Sequence, residues 1–248
     1  RPVAIKLVHP SLASFGEAAE RFRREARAAA GFTHPNVVTI HDYGVSEDGR
    51  AFLVMELLKG TTLRRELMMR PRMSPSRAAN VLSGVCAAVD AAHGRRLLHR
   101  DLKPENIFLT RTGDAEVAKI FDFGVAKSLV QPPEGGVSDR TEPGRLVGTL
   151  KYMSPEELQG EKPAESWDLW AVAVVAYEML AGAHPFAGST LSEVRNAILD
   201  GRMAPIRKHL AEVPPAWQQF FDKALAFCPA SRPQSALQLL SEFKRAIA

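Results

Sequence analysis

Two polar segments, separated by a short apolar stretch, constrain the fold of this chain more than any other feature. The first reads HRDLKPEN and runs from His99 to Asn106, and the second is the tripeptide DFG at 122–124. Such a tripeptide is a weak signal by itself. Here it directly follows the run VAKIF at 117–121, which is typical of a strand. The ordered combination of loop, strand and tripeptide makes the pair of segments a specific signal.

The rest of the chain divides into a small mixed part and a larger helical part. Its pattern predicts a helix at 15–30 and strands at 3–8, 37–41 and 50–57, with the Asp-Gly signal of a hairpin turn at 48–49. From Ser74, a predicted N-cap followed by Pro75, the pattern is mostly helical and closes with an amphipathic helix within 232–248, which looks like a complete end. Residues 60–62 form the predicted linker, and 131–144 form a long polar loop.

Composition sets broad limits on class and partners. A chain of 248 residues with 46% hydrophobic content can bury a sizeable core as one domain or two small lobes. The net charge of +4 is spread along the chain, so no nucleic-acid partner is expected. No run approaches the roughly 18 apolar residues of a membrane-spanning helix, so no membrane contact is expected from this segment.

The two cysteines bear on the compartment. Cys86 and Cys228 both lie in apolar helical patterns, which favours buried, reduced thiols over a disulfide or a metal site. A reducing, cytoplasmic location is expected, with any membrane anchor lying outside this chain.

Taken together, four segments resemble the catalytic core of the Hanks-type protein serine/threonine kinases. They are VAIK at 3–6, the loop at 99–106, DFG at 122–124 and SPE at 154–156. The sequences KPEN, SPE and AGAHPF, the last at 181–186, are most similar to those of the bacterial branch. The resemblance covers residues 3 to about 243. It implies an α+β, two-lobed protein kinase-like fold, with a small, truncated N-terminal sheet lobe at 1–58 and a larger helical C-terminal lobe at 59–248.

The resemblance also implies an activity, the transfer of the γ-phosphate of ATP to Ser or Thr hydroxyls of a protein substrate with Mg²⁺ as cofactor. Asp101 would orient the acceptor hydroxyl and take its proton, and Lys103 would stabilise the transferring phosphate and favour Ser/Thr acceptors. Asn106 and Asp122 would hold magnesium through hard oxygen atoms. Thr149, in the segment 148–156 that resembles a peptide platform, is counted with the catalytic residues.

Nucleotide binding is assigned by the same resemblance. Lys6 would hold the α- and β-phosphates, kept in place by Glu25, with Glu20 and Glu17 as competing choices. In the hinge, 52–60, Met55 would be the gatekeeper, and the backbone of Glu56 and Leu58 would face the adenine edge. The residues expected to sandwich the base are Ala4 above and Phe108 below, and Phe108 is alternatively a core residue.

Further positions are expected to support or regulate the site. Glu156 would pair with Arg232, Asp168 would anchor the catalytic loop backbone, and a packed column would contain Ala29, Ile40, His99 and Phe123. Self-phosphorylation is expected at Thr141 or, next, at Ser138, with Arg100 as the phosphate partner and Arg140 and Arg145 either assisting or simply solvated. By the same resemblance, Val125, after DFG, would favour threonine over serine as acceptor.

One departure from the family pattern leaves alternatives open. The family's glycine-rich loop lies before the strand lysine, and only five residues precede Lys6 here. The chain is therefore expected to be a fragment of a longer product or a truncated kinase with a bared strand edge. A pseudokinase or scaffold module with weakened nucleotide binding is one alternative function. A small-molecule phosphotransferase is another, opposed by the platform at 148–156.

Overall fold

The computed structural model describes residues 2–7, 16–46, 50–123 and 150–248. The small mixed part is built on three antiparallel strands in the order β1-β3-β2: β1 is Val3–Leu7, β2 is Ile40–Val45 and β3 is Ala51–Glu56. Helix α1, Gly16–Ala30, packs against this sheet. In β1 the exposed side chains alternate with half-buried Ala4 and Lys6, so these two share the inward face.

The segment before β2 connects the two parts of the molecule. The predicted strand at 37–41 begins only at Ile40, because the residues before it pair elsewhere. The Val38 amide donates to the Ile120 carbonyl at 2.9 Å, and the Ile120 amide donates to the Asn36 carbonyl at 2.8 Å. The Asn36 side chain adds a bond to the Ala118 carbonyl at 2.8 Å. These bonds fix the segment between α1 and β2 against the strand that leads to Asp122.

A second antiparallel sheet carries the polar segments. Its order is β4-β5-β6, with β4 at Gly60–Thr62, β5 at Ile107–Thr112 and β6 at Ala115–Ile120. The predicted linker at 60–62 is thus a short strand paired with β5. A 3-10 helix at Pro104–Asn106 precedes β5, so the HRDLKPEN loop and the DFG tripeptide lie at the same end of the β5–β6 pair.

The helical part surrounds one buried helix. Its helices are α2 (Leu63–Met69), α3 (Pro75–His93), α4 (Pro155–Leu158), α5 (Glu165–Ala181), α6 (Leu191–Leu199), α7 (Pro215–Ala224) and α8 (Ala236–Ile247). In α5, every residue from 167 to 177 is buried, and α3, α7 and α8 pack against it. Ser74 caps α3 as predicted, because its hydroxyl accepts from the Arg77 amide. The closing amphipathic helix is α8, which buries Leu239 and Phe243.

The cysteine prediction holds for one residue only. Cys86 is buried in α3, and burial raises the pKa of its thiol to about 12. The prediction of a buried Cys228 was wrong, because α7 ends at Ala224 and Cys228 lies exposed before the 3-10 helix Pro229–Ser231. Neither forms a disulfide. In the part of the chain that the structure describes, no helix has the length and apolar character needed to cross a membrane.

Gly60 offers a test of this packing. Its φ is +150°, and a Cβ there would lie 2.0 Å from the Leu109 carbonyl oxygen. Gly60→Ala should lower the free energy of unfolding by at least about 3 kcal/mol in urea denaturation, since it combines backbone strain with a backbone clash. Gly113→Ala is the matched control, with φ +60° and open space around the Cβ, and should cost about 1–2 kcal/mol. Equal losses in the two variants would contradict the close approach of β4 to β5.

Candidate active site

A buried carboxylate on α5 holds the HRDLKPEN loop in place through hydrogen bonds. Asp168, on α5, is 1% exposed and accepts hydrogen bonds from the His99 amide at 2.9 Å and the Arg100 amide at 2.8 Å. Its Oδ2 also contacts His93 Nε2, from α3, at 2.8 Å. Burial alone would raise the pKa of Asp168, but the hydrogen bonds from His93 and from the His99 backbone outweigh burial and hold the pKa below its ordinary value.

These bonds hold the loop in an unusual backbone conformation. Arg100 has φ 62°, in the left-handed region that non-glycine residues rarely adopt. Two adjacent amides bonded to the two oxygens of Asp168 fix this turn. The expected anchoring of the loop by Asp168 is therefore present in the structure.

His99 connects this loop to the strand that ends at the DFG tripeptide. The Asp101 amide donates to His99 Nδ1 at 3.3 Å, and His99 Nε2 lies 3.0 Å from the Phe121 carbonyl. Since Nδ1 accepts, Nε2 must carry the proton and donate, and the ring is neutral. Burial lowers its pKa, in agreement with the neutral form. The ring centroid lies 4.8 Å from that of Phe123.

The expected packed column is only partly closed. His99 and Phe123 are in contact, whereas Ala29 and Ile40 line an apolar cavity with Phe123 and Met55. Phe32 packs edge-on against Phe123 at 5.5 Å. The small side chain of Ala29 thus leaves space between α1 and the DFG segment.

The predicted catalytic and metal-binding residues of the loop are in mutual contact. Lys103 Nζ lies 3.0 and 2.9 Å from the two carboxylate oxygens of Asp101. Asn106 Nδ2 donates to the Asp101 carbonyl at 2.8 Å and to Asp101 Oδ2 at 3.0 Å. Since its nitrogen serves Asp101, the amide oxygen of Asn106 is the atom suited to a hard cation. The Phe121 amide donates to the Asn106 carbonyl at 3.1 Å, which brings Asp122 to the same place.

Lys6 reaches this group from the small sheet. Its ammonium contacts the Asp122 carboxylate, and both side chains are partly buried. Asp122 has φ 66°, a second non-glycine residue in the left-handed region at this site. The expected ion pair of Lys6 with Glu25 is not formed among the described residues, because Asp122 takes the ammonium and Glu25 stays half-buried on α1. The competing Glu20 is exposed and pairs with Arg23, and the side chain of Glu17 lies outside the described residues.

The donor set fits a nucleoside triphosphate with magnesium. An ammonium and a carboxylate side by side offer partners for phosphate oxygens and for a cation, and Asn106 adds a neutral oxygen. Within residues 2–7, 16–46, 50–123 and 150–248, no group of three or more His, Cys, Asp and Glu side chains forms a metal site of its own.

The residues of the predicted hinge also form strand pairs and hydrogen bonds within the domain. Ala4 pairs with Met55 across β1 and β3. The Glu56 carboxylate accepts from Lys119 at 2.6 Å and from the Thr39 amide at 2.9 Å, and the Glu56 amide donates to the Thr39 carbonyl. Because the Glu56 amide is used in this way, the expected contact of Glu56 with an adenine edge falls to its carbonyl, near half-buried Leu58.

Phe108 lies beside the hinge rather than in the core. It is half-buried, between fully buried Ile107 and Leu109, and its ring would contact a Cβ placed at Gly60. This position suits the floor of a base-binding site.

The structure also contains an interaction that sequence reasoning missed. Arg64, on α2, bonds to Glu105, Tyr152 and Glu178. We call these four residues the Arg64 cluster. Glu105 was visible in the loop motif, but nothing in the sequence connects Arg64 with a glutamate so far along the chain.

Farther from the loop, the expected pair of Glu156 and Arg232 is present. Two hydrogen bonds of 2.8 and 2.9 Å join the buried side chains, and Arg232 also stacks over Trp170 at 4.7 Å. The expected roles at Thr149, Val125, Ser138, Thr141, Arg140 and Arg145 fall on residues outside the described ranges.

A small sheet part, a large helical part and this site between β1, β6 and the loop define the class of a protein kinase-like domain. The protein kinase domain family matches residues 1–243. The kinase domain of PknI from Mycobacterium tuberculosis, a solved structure, shares the fold with a TM-score of 0.76 at 23% identity, covering 99% of this chain and 85% of that one.

Curated relatives agree with this assignment. The serine/threonine-protein kinase pkn3 of Myxococcus xanthus is 34% identical over 98% of this chain and 44% of its own. The serine/threonine-protein kinase PknD of Mycobacterium tuberculosis is 36% identical over 95% and 34%, and PknA of the same organism is 38% identical over 87% and 46%. The chain belongs to the protein kinase domain family, and spans about half or less of the length of these relatives. The predicted family and fold class are confirmed.

The neutral state of His99 predicts a pH dependence of stability. In the unfolded chain His99 titrates near pH 6.5, whereas in the folded protein its pKa is lower. The contribution of His99 to the free energy of unfolding is therefore complete above about pH 6.5 and is lost as the pH falls below that value. The free energy of unfolding of the wild type should fall more steeply between pH 7 and 5 than that of His99→Phe, by up to about 1.4 kcal/mol per pH unit.

Other histidines with lowered pKa values, His34, His184 and His209, remain in both proteins and cancel in the difference. Urea denaturation of both proteins at several pH values measures this difference in their free energies of unfolding. Parallel pH profiles for the two proteins would show that His99 does not bind its proton more weakly when folded.

Proposed function

We propose that this chain is the catalytic domain of a serine/threonine protein kinase, which transfers the γ-phosphate of ATP to Ser or Thr hydroxyls of protein substrates. One observation carries the proposal. Lys6 contacts Asp122, the neighbouring Phe121 amide donates to Asn106, and both Asn106 and Lys103 bond to Asp101, so the predicted residues are linked from the small sheet to the loop. The names of the bacterial relatives support the same activity.

Each of these side chains has a separate role in phosphoryl transfer. Bound ATP with Mg²⁺ supplies the γ-phosphoryl group and the positive charge beside it. Asp101 orients the acceptor hydroxyl and takes its proton as the new P–O bond forms and the bond to the ADP oxygen breaks. Lys103 offsets charge on the moving group, Lys6 would hold the inner phosphates, and Asn106 and Asp122 would hold the metal.

Two finer points belong to the proposal and concern residues outside the described ranges. Thr141, or else Ser138, would be phosphorylated by the protein itself, with Arg100 as one partner of the phosphate. Val125 would favour threonine acceptors, because its stiff branched side chain leaves room for the threonine methyl group.

Two substitutions separate binding from transfer. Asp101→Asn removes the carboxylate that takes the proton, so in the full-length protein kcat for a Ser/Thr peptide should fall by about 10²–10⁴-fold with little change in the Kd for ATP and Mg²⁺. Mass spectrometry of the wild type should find phosphate at 138–141, and this phosphate should be missing from Asp101→Asn. Asp122→Asn should instead weaken magnesium-dependent nucleotide binding.

The exposed Asp114, in the turn between β5 and β6, supplies the control, and Asp114→Asn should change neither quantity. Near-normal kcat in Asp101→Asn would refute the assignment of the base. A folded wild type that binds ATP and Mg²⁺ but transfers nothing to any protein or peptide would favour the scaffold alternative.

A further inference from the structure

The Arg64 cluster joins four segments around one guanidinium. Arg64 Nε donates to Glu105 Oε1 at 2.8 Å and one terminal nitrogen donates to Glu178 Oε1 at 2.7 Å. The other terminal nitrogen donates to the Tyr152 hydroxyl, which donates in turn to Glu178 Oε2 at 2.5 Å. All three nitrogen atoms of the guanidinium thus donate hydrogen bonds within the chain.

This cluster lies beside the catalytic residues, on the side of the acceptor. Glu105 is in the same 3-10 turn as Asn106, whose amide bonds to Asp101. Tyr152 belongs to the segment expected to receive a peptide. A side chain of a bound peptide that reached Glu105 would therefore be only a few residues from the acceptor hydroxyl.

The charges of the cluster are not balanced. Two carboxylates surround one guanidinium, and Glu105 Oε2 is buried with no hydrogen-bond partner among the described residues. Burial would lower the pKa of Arg64, but Tyr152 and Glu178 raise it further, so the guanidinium stays charged. Burial raises the pKa of Tyr152 well above its usual value, so its hydroxyl remains a donor. Without Arg64, the two carboxylates would form a strong site for a cation.

We propose that Arg64 determines the peptide specificity of this domain, by filling from within the chain the two-carboxylate site that would otherwise take a basic side chain of the substrate. The wild type then has no preference for arginine near the acceptor residue. This inference rests on the proposed function, since it concerns the acceptor of the same reaction.

Peptide series test the proposal in the full-length protein. The probes are one Ser/Thr peptide and versions with a single Arg placed at each position from five before to three after the acceptor. Arg64→Met keeps the length of the side chain and removes its charge. For at least one position, the ratio of kcat/KM for the Arg peptide to that for the parent peptide should rise about tenfold or more, the usual size of a charge-assisted hydrogen bond.

Two further variants make the result specific. Arg65→Met removes an exposed neighbouring charge and should leave every ratio at the wild-type value. The double variant Arg64→Met/Glu105→Gln should lose the acquired preference. If Arg64→Met does not fold, Arg64→Lys replaces it: the ammonium has fewer donors in fixed directions, so an intermediate rise is expected.

Each outcome decides one question. A folded Arg64→Met, or its Lys replacement, with wild-type ratios at every position overturns the role of Arg64. An acquired preference that survives Glu105→Gln also overturns it. A wild type that phosphorylates no peptide contradicts the proposed function instead, because the parent peptide contains no added charge.

Discussion

The buried carboxylate of Asp168 is the interaction on which the rest of the site depends. It lies in the most buried helix of the domain and binds two successive amides of the catalytic loop. A lone buried carboxylate would be costly, but three hydrogen-bond donors stabilise its charged form. These bonds maintain the left-handed conformation of Arg100.

From this anchor, hydrogen bonds run outward through the loop to Asp101, Lys103 and Asn106. His99 links the loop to the Phe121 carbonyl, and Asn106 links it to the Phe121 amide. The loop is therefore joined to Phe121, directly after β6, by one side-chain and one main-chain hydrogen bond. Lys6, from the separate small sheet, adds charge complementarity through Asp122. Buried hydrogen bonds fix positions in the helical part. The connection to the small sheet includes the Lys6–Asp122 and Lys119–Glu56 ion pairs and the bonds around Asn36.

Local signals in the sequence predicted most of the fold and the core of the site. Ser74 and Pro75 marked the start of α3, and the HRDLKPEN loop placed Asp101, Lys103 and Asn106 within hydrogen-bonding distance. Contacts between distant segments were harder. The Arg64 cluster joins positions 114 residues apart in sequence, and no local pattern reports such a pairing. Partner choice also depends on packing: Glu25 was expected to take Lys6, yet Asp122 lies closer to the ammonium.

The central claim, that Asp168 positions the catalytic loop, is tested most directly by kinetics of Asp168→Asn. Asparagine can accept one of the two amide bonds, but its own NH₂ group faces the other. Asp168→Asn should fold cooperatively and bind ATP and Mg²⁺ with nearly unchanged Kd, but its kcat should fall by about 100-fold. The exposed Asp222→Asn should match the wild type. A folded Asp168→Asn with the kcat of the wild type would contradict the account.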